Sequence, residues 1–516
     1  MRSAAMHWVG RAMRDAGNRA LPRDPIVRPG RSHRLAALLV FGAAVIHSGN
    51  ASAQPHETAP LPTPPPRPFD IAAPIEQRLP NGLRVVLAER RGVQLVTAQL
   101  VVLSGSETDP AQRAGLASIT AGLLTKGSRQ RSASAMARAA ESLGASLDSG
   151  AGWHQSEVAM TVAVPQLDAA LALVSEAVRQ PRFAPAELDR LRVQTLDELK
   201  VAYTRPGTVA SLATQRLLFG AGAYGQPAGG TPASLLRLGR TDLLAMHAAH
   251  YRPDNAVLLF AGDIDTATAL RLAARHFGDW RPATPSWPTP PVAALGRALP
   301  TADAVIDMPQ SGQAAVVLAA PLPPLGADRA TAAVMNSVLG GGFSSRLTQE
   351  IRIKRGLSYS VGSQIDARRA GGALRMVVQT KNESAAEVVG LLQAELDRIA
   401  STPVGEAELT ARKATLIGDF SRGVETTAGL AATVKSLIVA GLPSAELTHR
   451  IDAITAVSAA DVQRFAAAHL GAEKRRFVVA GESARFAEAL KAGGAEFISV
   501  PAGALNLERG DALIAP

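Results

Sequence analysis

The strongest constraint on the fold is an internal repeat with a period of about 220 residues. Residues 242–250 read DLLAMHAAH and residues 461–469 read DVQRFAAAH, an offset of 219. The strand-like segments NAVLLFAGD and RRFVVAGE end at Asp263 and Glu482, at the same offset of 219. Ala-Glu-Leu opens one helical segment at 186 and another at 407, an offset of 221. Ala-rich helices alone could recur by chance, but three ordered matches that include a strand indicate two homologous halves.

The repeat divides the chain of 516 residues, of which 47% are hydrophobic, into two halves that can each bury a core. We expect a first half at 75–283 and a second half at 300–495. The Pro-rich stretch 284–299 is the expected linker between them. Two shorter segments complete the division, a Pro-rich spacer at 54–74 and a tail at 496–516.

Local patterns within the halves predict mixed strands and helices. Residues 94–103 and 158–164 are β-rich, and the second segment alternates so that Val158, Met160, Val162 and Val164 share one face. Ser132 or Ser134 can cap a helix that ends at Gly144. Strands and helices of these lengths favour an antiparallel-rich α+β half.

Residues 1–53 have the features of a cleaved signal peptide. The twelve apolar residues 35–46 follow Arg31 and Arg34, and Ala51-Ser52-Ala53 is a small-x-small cleavage pattern. A transmembrane anchor needs about 20 apolar residues. The sequence therefore predicts export to the periplasm with cleavage near Ala53 and no stable membrane span.

Charge and cysteine content exclude several classes of protein. Residues 1–53 contain eight Arg and two Asp, so they carry +6 of the net charge of +10 and leave +4 for the rest. No Lys/Arg stripe with interleaved aromatic residues follows, which argues against nucleic acid as a partner. The chain contains no cysteine, which rules out disulfides, thiol nucleophiles and iron–sulfur clusters.

Residues 115–128 read GLASITAGLLTKGS and place Leu116, Ile119 and Leu123 on one helical face. This segment resembles the signature helix of the insulinase/pitrilysin-type zinc peptidases, the family that includes mitochondrial processing peptidase, which reads roughly GLAHFLEHMLFKGT. The resemblance puts Ser118 and Gly122 at the two zinc-ligand positions and Ala121 at the general-base position. Two histidines four residues apart on a helix can bind one Zn²⁺, and the Glu between them activates water. Ser118, Ala121 and Gly122 cannot replace them, so we expect no metal site and no cofactor in this chain.

Other candidate metal ligands do not restore the site. Glu198 is the best match to the family's further glutamate ligand, but one carboxylate does not make a zinc site. His154 and Glu157 lie three residues apart beside a strand and should point to opposite faces. His247 and His250 lie three apart on a helix without a carboxylate between them. The chain alone is therefore not expected to be a metallopeptidase.

Residues 339–362 read LGGGFSSRLTQEIRIKRGLSYSVG. This resembles the family's C-terminal-half signature, roughly LGGxxSSRLxxxLREKxGLAYSV. The resemblance implies that Arg352 and Tyr359 are the family's catalytic Arg/Tyr pair, in which the Tyr hydroxyl supports the oxyanion and the Arg holds the substrate.

The residues themselves allow that role and also a plainer one. Ser344 or Ser345 can cap a helix that runs to Lys354 and ends at Gly356, followed by a strand at 357–361. A guanidinium and a phenol are both donors, as needed where negative charge develops in acyl transfer. Alternatively, Arg352 with Lys354 and Arg355 forms a basic last turn that complements the helix dipole. Residues 340–342 could suggest a phosphate loop, but no Lys-Ser/Thr follows, which favours a tight turn.

The resemblance covers about residues 75–490, including HYRPDNAVLLFAGD in the first half. It implies an α+β fold in which each half has two α/β-roll subdomains and the halves close like a clamshell around a peptide chamber. A chain that lacks the zinc helix but keeps the Arg/Tyr pair is expected to be the non-zinc subunit of a heterodimer. Its partner would be an HxxEH-containing homologue that holds the zinc, and the pair would bind and cleave peptides. The alternative is a catalytically silent binding or assembly protein, and an active peptidase with an unconventional metal site is disfavoured.

Overall fold

A computed structural model describes residues 71–281, 303–508 and 513–514. The expected signal peptide, the linker 284–299 and most of the spacer lie outside the described residues. Among the residues that are described, each helix is too short or too polar to cross a bilayer.

The first half is built on a six-stranded mixed sheet in the order β1-β2-β6-β3-β5-β4. The β2–β6 pair is parallel and the other pairs are antiparallel. The strands are β1 Ile75–Arg78, β2 Arg84–Glu89, β3 Leu95–Val102, β4 Asp148–Ala151, β5 Ser156–Ala163 and β6 Ala256–Gly262. The helices are α1 Leu116–Leu123, α2 Ala133–Glu141, α3 Leu167–Arg179, α4 Pro185–Ala202, α5 Pro206–Phe219, α6 Pro232–Arg237, α7 Arg240–His250 and α8 Thr266–Phe277.

The second half repeats this plan with the strand order β12-β7-β11-β8-β10-β9. Its strands are β7 Ala304–Asp307, β8 Ala314–Leu322, β9 Ser360–Asp366, β10 Gly372–Thr380, β11 Arg476–Gly481 and β12 Ile498–Pro501. Its helices are α9 Arg329–Leu339, α10 Ala385–Ser401, α11 Glu406–Gly423, α12 Thr427–Val439, α13 Glu446–Ala456, α14 Ala459–His469 and α15 Ala487–Ala492, together with a π-helical segment at Thr348–Lys354.

The two sheets correspond strand by strand, with β2, β6, β3, β5 and β4 matched by β7, β11, β8, β10 and β9. This confirms the predicted α+β fold of two homologous halves, each with helices packed on a mixed sheet. In the part of each half that the structure describes there is one six-stranded sheet, where the resemblance implied two subdomains per half. The sixth strand differs between the halves. Strand β1 comes from the beginning of the first half, whereas β12 lies within the segment 496–516 that was predicted to be a tail.

A pair of helices is exchanged between the halves. Helix α5 belongs to the first half, yet its Val209, Ala213 and Leu217 pack on the second sheet against Val317 and Val478. In return, Leu430 and Val434 of α12 pack on the first sheet against Val86, Val257 and Leu259. Strand β6 is buried at every position, as expected for a strand covered on both faces.

Several local predictions can be compared with the elements observed. Ser132 is the N-cap of α2, where its hydroxyl accepts a hydrogen bond from the Ala135 N–H at 3.2 Å, and Gly144 follows the helix at φ +70°. In β5, Val158, Met160 and Val162 are buried on one face, but Val164 is exposed because the chain turns into a 3₁₀ helix there. The expected strand at 357–361 begins only at Ser360.

Candidate functional site

Helix α1 carries the positions that would hold zinc in a metallopeptidase of this type. Its N-terminus is fixed by the carboxylate of Asp109, which accepts hydrogen bonds from the N–H groups of Gly115 and Ala117, both at 2.8 Å. Burial raises the pKa of Asp109 to about 8, although the N–H donors act in the opposite direction. The helix is therefore formed and anchored although it lacks metal ligands.

The residues on α1 do not fit a zinc ion. Ser118 and Gly122 are half-buried and Ala121 is fully buried. A Cβ atom on Gly122 would lie 3.2 Å from Leu191 Cδ2 of α4, so this helix packs closely where a histidine would project. Glu198 is exposed on α4 and accepts a hydrogen bond from Gln194 Nε2 at 2.9 Å. Within the described ranges, no group of three His, Cys, Asp or Glu side chains could hold a metal.

His154 and Glu157 are directed to different partners, as their spacing beside a strand predicts. His154 Nδ1 lies against Glu107 Oε2, and both residues are buried. Glu157 instead pairs with Lys435 Nζ at 2.6 Å, on the exchanged helix α12. Glu157 therefore connects the two halves, and the two side chains do not converge on a common site.

His247 and His250 are each bound inside the first half. His247 Nε2 donates to the carbonyl oxygen of Val178 at 2.7 Å, and burial lowers its pKa. His250 Nδ1 lies 3.0 Å from Ser104 Oγ, and its pKa is lowered to about 4, chiefly by burial and also by the charge of Arg252. Both histidines are thus neutral core residues at pH 7.

Acidification is expected to destabilise the protein through His250. The unfolded chain binds a proton at this residue below about pH 6.5, whereas the folded chain does so only below about pH 4. The contribution of His250 to folding is therefore fully present above pH 6.5 and is lost as the pH falls to 4, about 3 kcal/mol in total. Chemical denaturation at a series of pH values measures it. His250→Gln should flatten this dependence while His449→Gln, a change at an exposed histidine, should preserve it, and equal acid sensitivity in both variants would contradict the assignment.

Arg352 and Tyr359 converge, and a third residue joins them. The guanidinium carbon of Arg352 lies 4.3 Å from the centre of the Tyr359 ring and 5.1 Å from that of Phe343. Tyr359 and Phe343 are 84% and 64% exposed, so this stack lies on the surface. The segment that carries Arg352 ends at Gly356 with φ +62°, which turns the chain toward β9 and brings Tyr359 back over the arginine.

The hydrogen-bonding state of this pair distinguishes it from an ordinary basic last turn. Lys354 Nζ binds Glu350 at 2.9 Å and Arg355 pairs with the same carboxylate. The guanidinium of Arg352 makes no hydrogen bond or ion pair with any described residue and faces the two aromatic rings. Stacking occupies the flat faces of a guanidinium and leaves its N–H edge available. A free guanidinium edge beside a phenol is a donor pair that can bind an oxygen that becomes negatively charged.

The glycines of residues 340–342 support the strand that follows Tyr359. The N–H of Ser363 in β9 donates to the carbonyl oxygen of Gly340 at 3.3 Å. A Cβ atom on Gly340 would lie 2.4 Å from that nitrogen, so only glycine allows this approach. The contact agrees with a tight turn and not with a phosphate loop.

Sequence reasoning missed a polar cluster that joins two corresponding hairpin turns. Arg368, in the β9–β10 turn, has a side chain that is 1% exposed and stacks on Trp153 of the β4–β5 turn at 4.0 Å. The next residue, Arg369, pairs with Glu107 at 3.0 Å, and its N–H donates to His154 Nε2 at 3.2 Å. These partners lie more than 200 residues apart in sequence, so no local pattern predicts the contact.

Comparison with known proteins identifies related sequences and folds. Residues 84–229 match the family model described as insulinase (peptidase family M16), and residues 237–416 match the model described as peptidase M16 inactive domain. An uncharacterized zinc protease of Mycobacterium leprae is 30% identical over 348 residues, 67% of this chain and 78% of that protein. The non-peptidase homolog YmxG of Helicobacter pylori is 23% identical over 387 residues, 75% of this chain and 88% of that protein. The crystal structure of a peptidase M16 inactive domain from Pseudomonas fluorescens superposes with a TM-score of 0.74 at 26% identity, covering 79% of this chain and 98% of that chain.

The fold and the site together define a class of α/β protein that has the two halves of a peptidase. Helix α1, which would hold the metal in such a peptidase, carries no metal ligands. The chain belongs to the insulinase family, peptidase family M16. This confirms the resemblance inferred from residues 115–128 and 339–362. Phe343 was not recognised from the sequence, because only the folded turn shows that its ring contacts Arg352.

Proposed function

We propose that this chain is the exported, non-zinc subunit of a two-chain peptidase that binds and cleaves peptides with an HxxEH-containing homologue. The observation that carries the proposal is the exposed Arg352–Tyr359 pair, whose donors are free in a chain where Ser118, Ala121 and Gly122 replace the metal-site residues. Donors for an oxyanion are useful only beside a reacting carbonyl group. A second chain that holds zinc would place one there.

The packing of the two halves also favours a chamber shared with a second chain. Helices α5 and α12 each cross to the opposite sheet, and Arg368 and Arg369 join the two edge hairpins. Opening a cleft between these halves would expose apolar faces on both sheets and break buried ion pairs, which is costly. A peptide chamber that must open and close is therefore more easily formed between two chains.

In the proposed complex, Arg352 and Tyr359 act as hydrogen-bond donors toward the substrate. Tyr359 donates its hydroxyl proton in a hydrogen bond to the scissile carbonyl oxygen as negative charge develops there. Arg352 uses its N–H edge to hold the peptide backbone, while the Tyr359 and Phe343 rings keep the guanidinium in place. Zinc is expected in the partner subunit.

The purified chain is expected to hydrolyse no peptide by itself. The assay mixes it with added zinc and a quenched, unstructured peptide, alone and with the HxxEH homologue from the same genome. Activity should require both chains, with about one zinc per heterodimer, because the homologue alone has the ligands for a metal. Robust hydrolysis by this chain alone would refute the proposal.

Export is part of the same proposal. It is supported by the basic, apolar and small-residue regions of residues 1–53. The mature protein, recovered from the periplasmic fraction, should begin close to residue 54. A mature protein that still begins at Met1 and remains in the cytoplasm would show that the leader is not a signal peptide.

A catalytically silent binding or assembly protein is the second candidate, favoured by the similarity to a relative named a non-peptidase homolog. In that case Arg352 and Tyr359 are only structural. Arg352→Ala and Tyr359→Phe would then leave the activity of any reconstituted complex unchanged. The same two variants therefore separate the two candidate functions.

A further inference from the structure

Arg375 occupies an unusual position in the second sheet. It lies on β10, opposite Gln364 of the edge strand β9 and Ala319 of β8. Along β10, Leu374, Met376 and Val378 belong to the core on one face, whereas Val377 packs with the cluster that includes α5 on the other. Since side chains alternate along a strand, Arg375 is on the α5 side of the sheet, between that helix and the open edge.

The guanidinium of Arg375 is not neutralised. Its Nε is buried without a hydrogen-bond partner, and the side chain makes no hydrogen bond or ion pair with any described residue. Among the described residues, the carboxylate whose charge acts on the guanidinium is that of Asp366, which already binds Arg368 Nε at 3.1 Å and Nη2 at 2.6 Å. Burial lowers the pKa of Arg375, and the nearby charge of Arg368 adds to this effect.

Another arginine of the same hairpin has the partners that Arg375 lacks. Arg369, on the same hairpin, binds Glu107 at 3.0 Å and the carbonyl oxygens of Val439 and His154 at 2.9 and 3.0 Å. A half-buried cation without a partner destabilises the folded state. Arg375 therefore weakens the fold unless an anion binds to it.

The surroundings of Arg375 leave room for a ligand. Gln364 and Ser360 on β9 and Gln379 on β10 are exposed and share its face of the sheet. Gly362 lies opposite Val377 and carries no side chain. The surface of β9 between these polar residues is therefore not filled by a side chain at this position. The first turn of α5 approaches this polar surface at Gln379. A Cβ atom on Gly207 would lie 3.1 Å from Gln379 Nε2.

We propose that Arg375 binds a carboxylate of an extended peptide that lies along β9, with Gln364 and Gln379 as flanking amide donors. The inference rests on the proposed function, because this peptide would be the substrate held beside Arg352 and Tyr359. Gln364 is about 13 Å along the strand from Ser360, the residue after Tyr359. The substrate class is therefore peptides with an acidic side chain, or a C-terminal carboxylate, about four residues from the segment that contacts Tyr359.

The test measures peptide binding by the isolated full chain, without a partner and without zinc. The probes are fluorescein-labelled peptides of Ala and Ser with one central Glu or Gln, each with a free or an amidated C-terminus, followed by fluorescence anisotropy. Arg375→Met should weaken binding of the carboxylate-bearing probe by about 10- to 100-fold, as expected for a charge-assisted pair. The free and amidated probes show whether the side chain or the C-terminus supplies the carboxylate.

A matched control and a stability measurement separate recognition from a structural role. Arg464→Met removes the same charge from an exposed site on α14 and should leave binding unchanged. Arg375→Met should keep or raise the thermal midpoint, because it removes an unpaired half-buried charge. Arg375→Lys retains a charge at the site and should retain part of the preference for Glu over Gln.

The proposal is overturned if the chain binds Glu and Gln probes equally, or binds none of them. It is also overturned if Arg375→Met lowers the thermal midpoint and weakens all probes alike, since Arg375 would then be structural. Arg375→Gln provides the same comparison if the Met variant does not fold. None of these readouts involves hydrolysis, so the two-chain peptidase proposal stands or fails separately in its own assay.

Discussion

Replacing Tyr359 by Phe is expected to lower kcat of the proposed two-chain peptidase by about 10²- to 10³-fold, the usual effect of losing one oxyanion donor. The variant removes only the hydroxyl group, because Phe keeps the ring that stacks on Arg352 at 4.3 Å. Stability should not change, since the side chain is 84% exposed. Steady-state hydrolysis of a quenched peptide by the pair measures the effect.

Two further measurements show whether the roles are assigned correctly. Zinc content should remain about one per heterodimer, because neither Tyr359 nor Arg352 is a ligand. Arg352→Ala should change KM if its contact forms with bound substrate, and kcat if it forms only in the transition state. Ser401→Ala, which deletes an exposed hydroxyl on α10, is the matched control and should leave kcat unchanged. Unchanged kcat in Tyr359→Phe, or loss of zinc, would mean that the residue has a different role.

The second large effect is expected in stability, from Arg368→Ala. The guanidinium carbon of Arg368 lies 4.0 Å from the Trp153 ring, 4.5 Å from Phe219 and 4.8 Å from Tyr224, and the side chain is 1% exposed. Its Nη1 also donates to the carbonyl oxygen of Tyr224 at 3.0 Å. Alanine leaves Asp366 without its cation and empties the space between three rings. We expect the free energy of unfolding to fall by about 3–5 kcal/mol, the cost of breaking a buried pair.

Chemical denaturation compares this variant with Arg422→Ala. Arg422 pairs with Asp419 three residues earlier on α11, where both side chains are more than half exposed. Such a pair contributes little, so the control should change the free energy of unfolding by less than about 1 kcal/mol. A similarly small change in the free energy of unfolding for Arg368→Ala would mean that solvent replaces the contacts of the guanidinium. The contact between the two hairpin turns would then not hold the halves together.

The parts of the structure that the sequence predicts are those with a local or repeated signal. The cap at Ser132 has a local signal, because its hydroxyl accepts a hydrogen bond from an N–H only three residues later. The repeat is visible because the two halves share one sequence pattern. The exchange of α5 and α12 has no such signal, because an apolar helix face does not specify which sheet it covers. Arg375 was missed for a related reason, since an arginine in a strand is usually taken to face solvent.

The candidate site was predictable to a similar extent. The motif located Arg352 and Tyr359, and the turn at Gly356 explains why residues seven apart come into contact. Phe343 lies nine residues before Arg352, outside any helical spacing, so only the folded turn brings its ring to the guanidinium. The contact between Trp153 and Arg368 depends on the arrangement of the two halves, which no local pattern specifies.

The exchanged helices make the chain equivalent to a domain-swapped dimer contained in one polypeptide. A single half would have no helix of its own for the face of its sheet that contains Val317 and Val478, or Val86 and Leu259. It could bury that face only by trading helices with a second copy. Because both halves belong to one chain, the exchange is intramolecular and has a high effective concentration. The two halves can therefore differ in sequence, as they do at α1 and at the segment that carries Arg352, without losing each other as folding partners.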